Sequence, residues 1–216
     1  MINLYKREKN MVLYLSIIFI AMALICFGNI LFNPQVFECF EVWLMVAVSI
    51  GVVFEFAIDG IFAALVRLFP RQWFQPDRKF FQVNKKERNF YEKIGIKSWK
   101  DKFWELGATG GFRKNKIKEP NSPEYQHWFL VESNMGIVMH IVDVFVGFAV
   151  MFIFPLKYAL PIGLPIALVN AVLNILPIMI LRYNLPKLNV AYKRAMRLKE
   201  RKEEQNITPE NKEDNE

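Results

Sequence analysis

Residues 136–154 read GIVMHIVDVFVGFAVMFIF, nineteen positions that are apolar throughout except for one histidine, one aspartate and two glycines. At about 1.5 Å of rise per residue, a helix of this length crosses most of a hydrocarbon core of ~30 Å. Three further blocks have the same character. Met11–Phe32 carries no charge, Val42–Leu65 carries Glu55 and Asp59, and Tyr158–Leu181 carries Asn170 and Asn174 between Pro161, Pro165 and Pro177. None alternates apolar and polar residues as a barrel strand does. A lone strand in lipid also leaves its backbone unpaired, so each block is expected to be a helix. The expected fold is all-α and integral to the membrane, with four transmembrane helices. A long amphipathic segment, lying in the cytoplasm at the membrane interface, separates the second from the third.

The composition agrees once it is sorted by position. The chain has 216 residues, 53% of them hydrophobic, a mean hydropathy of +0.16 and a net charge of +7. Of its 28 Lys and Arg, 27 lie before residue 11, between 67 and 135, or after 181, and only Lys157 lies in the connection between the third and fourth blocks. The positive-inside rule therefore puts both termini and the middle segment in the cytoplasm of a multi-pass cell-membrane protein. Lys6, Arg7 and Lys9 resemble the start of a signal peptide, but the apolar run that follows is too long and lacks a small-x-small site, so an uncleaved span is expected. Two cysteines, Cys26 and Cys39, and two histidines, His127 and His140, point to no metal centre and no cofactor.

The boundaries expected are a two-span hairpin over 1–66, the interfacial segment over 67–135, a second hairpin over 136–192 and a charged, disordered tail over 193–216, helical where it begins. Trp73, Phe74, Phe80, Phe81, Phe90, Tyr91, Trp99, Phe103, Trp104, Phe112 and Trp128 are interleaved with cations in the middle segment. Beside four spans this pattern reads as headgroup anchoring, and no nucleic-acid partner is expected. The sequon Asn206-Ile207-Thr208 falls on the cytoplasmic side and is discounted.

Polar groups inside spans are costly, about 2.5–3.5 kcal/mol each on insertion scales, and mark function by default. Gly51, Glu55 and Asp59 recur every four residues, and Gly136, His140, Asp143 and Gly147 follow one helical stripe, as do Asn170, Asn174 and Pro177. Three stripes imply a shared polar interior, with the glycines permitting close helix approach. His140 and Asp143, three residues apart, could form a carboxylate-oriented general base. Glu55 and Asp59 fit either packing or ion contact.

Further motifs carry a family resemblance. Ile96-Lys97-Ser98-Trp99-Lys100-Asp101-Lys102, then Glu132 and His140 eight residues apart, then Asn174, Arg182-Tyr183-Asn184, Pro186 and Leu188 occur in order. Over roughly residues 70–190 this pattern resembles the glycosyl-4,4'-diaponeurosporenoate acyltransferases, membrane enzymes that esterify a fatty acyl chain to the sugar of a glycosylated carotenoid. The chain departs from that pattern at Leu185, Ile141 and the position of Pro177, and its second span has no recognised counterpart.

The resemblance implies acyl transfer to a hydroxyl of a lipid or glycolipid acceptor, with acyl-CoA or an acyl-carrier as donor. His140 would be the base, Glu132 or Asp143 would orient it, and Asn174 or Arg182 would stabilise the oxyanion. Trp99, Lys100, Lys102, Arg182, Tyr183 and Asn184 would bind substrate, the cations holding donor phosphates. The alternative is a small transport or accessory subunit using Glu55, Asp59, His140 and Asp143. A transporter should need Glu55 and Asp59, and an enzyme the two motifs. A passive scaffold should need no single polar residue.

Overall fold

The computed structural model describes residues 2–33, 42–102 and 119–213, with side chains from 11 to 205 of these. Cys39, Phe103, Trp104 and Phe112 lie outside the described residues, as do the side chains of the sequon. Every element among the described residues is helical, and four helices are long and apolar enough to cross a membrane. The spans are α1 (Ile2–Phe32), α2 (Val42–Leu68), α5 (Pro123–Val146) and α7 (Leu164–Glu213). Between α2 and α5 lie two 3₁₀ turns, Arg71–Phe74 and Lys79–Phe81, and the short helices α3 (Lys85–Lys93) and α4 (Ile96–Trp99). The outer faces of the spans are apolar and exposed, for example Phe19, Leu24 and Phe27 on α1 and Phe145 on α5. Water would penalise such a surface; lipid solvates it.

The third helix starts well before its apolar run. Ser122 accepts a hydrogen bond from the Tyr125 amide, and Pro123 follows at the first helical position, a combination that fixes a helix start. The helical stretch 123–135 therefore belongs to the bundle, with Gln126, Phe129, Leu130, Ser133 and Asn134 buried. At its other end α5 tightens into a 3₁₀ stretch, Gly147–Ile153. The charged segment from 193 continues α7 as helix to Glu213, and Lys199 pairs with Glu124 at 2.6 Å. At ~1.5 Å per residue the 50-residue helix reaches about 75 Å, far beyond a bilayer core.

Prolines shape the entry to α7. The short helix α6 (Leu156–Tyr158) leads into a π-helical turn, Ala159–Gly163, in which the Leu164 amide bonds the Ala159 carbonyl. Pro165 has no N–H to give the Pro161 carbonyl four residues back, and lipid offers none. Asn29 of α1 supplies the missing donor: its Nδ2 bonds the Pro161 carbonyl at 2.7 Å and that of Ile25 at 2.8 Å. Nothing in the apolar pattern of α1 had marked this residue out.

Packing is layered along the bundle. At the end where α2 finishes and α5 begins, Val66, Phe74, Phe81, Phe129, Leu130 and Leu185 form one apolar cluster with their neighbours. At the opposite end Ile25, Leu44, Val48, Val150, Ile162 and Ile166 form another. The polar stripes of α2, α5 and α7 meet between the two, and glycines let them do so. A Cβ on Gly51 would stand 2.5 Å from Ile166 Cδ1, and one on Gly147 would stand 2.5 Å from Asn170 Nδ2.

Gly163 is the least forgiving of these positions, because its Cβ would meet the Met151 backbone at 2.9 Å. Gly163→Ala should lower the thermal unfolding midpoint in detergent, at a cost of about 1–3 kcal/mol. Gly28, with nothing within 4 Å of a Cβ, should accept alanine at no loss, with helix propensity adding up to about 1 kcal/mol.

Candidate functional site

Six polar side chains from three helices converge in the middle layer. Glu55 and Asp59 come from α2, His140 and Asp143 from α5, Asn170 and Asn174 from α7. They line a cavity of about 320 Å³ whose other walls are mostly apolar, among them Ile18, Met22 and Ile25 of α1 and Ile166 and Leu173 of α7. That volume lies at the lower end for small-molecule sites, and a mostly apolar wall with a few convergent polar groups is their usual make-up. The lining continues to Arg67 and Glu132 at one end. On its flank Phe56 and Gly60 are exposed toward the lipid-facing surface.

The hydrogen bonds in this layer fix one another. Asn170 Nδ2 donates to Glu55 Oε2 at 2.9 Å and to Asp59 Oδ1 at 3.3 Å. Asn174 Nδ2 lies against three acceptors: Asp59 Oδ2 at 3.2 Å, the Asn170 carbonyl at 3.2 Å and Asn170 Oδ1 at 3.1 Å. The amide of Asn174 thus has one sensible orientation, nitrogen toward the acceptors and oxygen toward α5. That oxygen stands 2.8 Å from His140 Nδ1. An amide oxygen can only accept, so Nδ1 carries the proton, and in a neutral ring the basic lone pair is on Nε2. Asp59, Asn174 and His140 form a relay from carboxylate to imidazole through an amide.

Asn174 Oδ1 bonds the His140 ring, and Asp59 stands behind Asn174. Glu132 shares the cavity but turns to Arg71 at 3.1 Å and Arg67 at 3.5 Å. Asp143 lines the cavity with its Oδ1 buried and unpaired, as is Glu55 Oε1. Asn174 Nδ2 faces three acceptors, and its Oδ1 faces His140. The contact of Asp59 with Asn174 was not legible in its own helix, because only the rotation of α2 against α7 brings the two together.

The two terminal motifs bind each other. Arg182 clasps Glu87 of α3 through Nε and Nη2, the latter at 2.9 Å, and donates to the Phe80 carbonyl at 2.9 Å. Tyr91 donates to Glu87 at 2.7 Å and meets Tyr183 edge-on. Lys100 reaches Asn184 Oδ1 at 3.3 Å and lies over the Tyr183 ring. Trp99 packs on the same cluster with Ile96 and Ile180, whereas Lys102 is exposed. None of these residues lines the cavity. Asn84 caps α3 by accepting from the Glu87 amide, and Gly95 at φ 67° reverses the chain after it, which aims Glu87 and Tyr91 at α7.

The hydrogen bond from Arg182 holds the Glu87 carboxyl below its usual pKa range, against an opposing push from burial. A depressed folded-state pKa contributes stability that is present above the unfolded value near ~4.3 and is lost as pH falls through the folded value. Glu87→Gln should therefore lower the unfolding temperature most at pH 7, and the gap from the parent should close below about pH 4.

A family model described as glycosyl-4,4'-diaponeurosporenoate acyltransferase matches residues 70–194, more than half of the chain. Neither the curated proteins nor the solved structures compared with the chain gave a match. The matched stretch contains His140, Asn170, Asn174, the Trp99-Lys100 segment and the Arg182-Tyr183-Asn184 segment, while Glu55 and Asp59 precede it. With that match over more than half of its length, this membrane-spanning helical chain is a member of the glycosyl-4,4'-diaponeurosporenoate acyltransferase family.

Proposed function

We propose that the protein transfers a fatty acyl group to a hydroxyl of a glycosylated isoprenoid or related glycolipid, with His140 as general base. The observation that carries this reading is the Asp59–Asn174–His140 relay inside a largely apolar cavity, in a chain of this family. The acceptor hydroxyl gives its proton to His140 Nε2 as its oxygen attacks the acyl carbonyl. The tetrahedral intermediate then collapses, the donor's leaving group departs, and His140 returns the proton to it. Asn174 positions the imidazole, and Asp59 positions Asn174. No serine or cysteine neighbours His140 in sequence, which supports direct transfer without an acyl-enzyme.

The charge distribution supports a cytoplasmic location for both termini and for the segment 67–135, in the cell membrane. The donor then approaches at the Arg67 end, and the lipid acceptor enters sideways past Phe56 and Gly60. The clasp between α3–α4 and Arg182-Tyr183-Asn184 holds the interfacial segment over that end of the bundle, so its residues act on substrate through position. A transport role is separated by Glu55, which accepts from Asn170 and lies outside the Asp59–Asn174–His140 chain of hydrogen bonds. Asp59 no longer distinguishes the two readings, since the relay gives it a place in the chemistry.

His140→Ala should reduce acylation by about 10²–10⁴-fold, the range for loss of a general base, as read by mass spectrometry of lipids from cells expressing each variant. Asn174→Ala and Asp59→Ala should also lose activity, with Asp59 the milder. Glu55→Gln should keep most of it. Full acylation by His140→Ala, or loss with Glu55→Gln alone, would overturn the assignment.

A further inference from the structure

The cavity ends at an unbalanced charge. Glu132 is buried, its side chain 8% exposed, and it meets two guanidiniums, those of Arg67 and Arg71, which are 56% and 63% exposed. Among the described residues, one carboxylate against two cations leaves one unit of positive charge at the mouth. Each arginine spends one N–H on Glu132 among the five that a guanidinium offers. Pinned from beneath and exposed above, the pair presents a preorganised fork to an anion. Lys100 and Arg182, by contrast, are engaged with Asn184 and with Glu87, away from the cavity.

We infer that Arg67 and Arg71 bind the phosphate of the acyl donor, and that the donor carries this phosphate on an arm well removed from its acyl carbon. The inference rests on the acyl-transfer reading of His140. Glu132 and His140 lie eight residues apart on one helix, so about 12 Å of axial distance separates the anion fork from the base. A donor whose phosphate adjoins the acyl carbon, such as an acyl phosphate, cannot reach both. A thioester on a phosphopantetheine arm can: its acyl chain lies along the apolar wall toward Ile25 and Ile166, its carbonyl beside His140, and its phosphate at the fork. Transfer then forms the ester C–O bond and breaks the C–S bond, and the thiol leaves with the proton that His140 took from the acceptor.

The test uses the full chain in phosphatidylcholine nanodiscs and a thioether that cannot transfer, hexadecyl-coenzyme A. It should bind about tenfold or more tightly than hexadecyl-pantetheine, which has the arm and chain but no phosphate. Removing the arginines alone strands Glu132, so the test variant is Arg67→Gln/Arg71→Gln/Glu132→Gln, checked for a parent-like unfolding temperature. In that variant the margin between the two ligands should vanish. A margin that survives there, or equal binding of the two by the parent, overturns the proposal. So does loss of hexadecyl-coenzyme A binding when phosphatidylglycerol replaces part of the bilayer, which would make the fork a lipid headgroup site. His140→Ala should bind hexadecyl-coenzyme A like the parent. If that variant still transferred acyl groups, the base assignment would fail while the donor site stood on its binding margin.

Discussion

The side-chain amide of Asn174 is the joint on which the rest turns. It is buried among the spans, and its nitrogen faces three acceptors drawn from Asp59 and Asn170. Its oxygen is thereby committed to His140. Buried polar networks matter most when they are satisfied throughout, because the low dielectric that strengthens each bond also penalises each gap. Three helices are held in rotation by this layer, and two apolar clusters enclose it above and below. What the bilayer makes expensive is also what defines the geometry around His140.

Two devices bring the helices close enough for that layer to form. Glycines on α2 and α5 leave room for Ile166 and Asn170, where a methyl group would collide. Asn29 repairs the carbonyl that Pro165 leaves without a donor, which ties α1 to the start of α7. The interfacial segment adds a third constraint from outside the bundle. Glu87, Tyr91 and Lys100 fasten it to Arg182, Tyr183 and Asn184, so the two motifs of the sequence act as halves of one clasp.

Much of this was legible from residue order. Long apolar runs gave the four spans, and recurrence at three and four residues placed Glu55, Asp59, His140, Asn170 and Asn174 in a shared interior. The glycine spacing announced the close approach. Partner choice was not legible, because it depends on how each helix is rotated about its axis. Glu132 and His140 share a face of α5, yet Arg67 and Arg71 claim the first and Asn174 the second. Arg182 sits beside a polar stripe but extends away from it to Glu87. The early start of α5 was hidden because Ser122-Pro123 lies outside the apolar run that defines the span. Asp59 belongs to a helix that precedes the family-matched residues, so the relay joins a family motif to a residue from beyond it.

The relay can be read directly from the imidazole. The chain has only two histidines, so a ¹⁵N-histidine spectrum of the full protein in nanodiscs contains two rings, and His127→Gln identifies that of His140. The account predicts a neutral ring protonated at Nδ1 and unprotonated at Nε2, and a shift toward the other tautomer in Asn174→Ala. A ring protonated at Nε2 in the parent protein, or a spectrum that Asn174→Ala leaves unchanged, would contradict it.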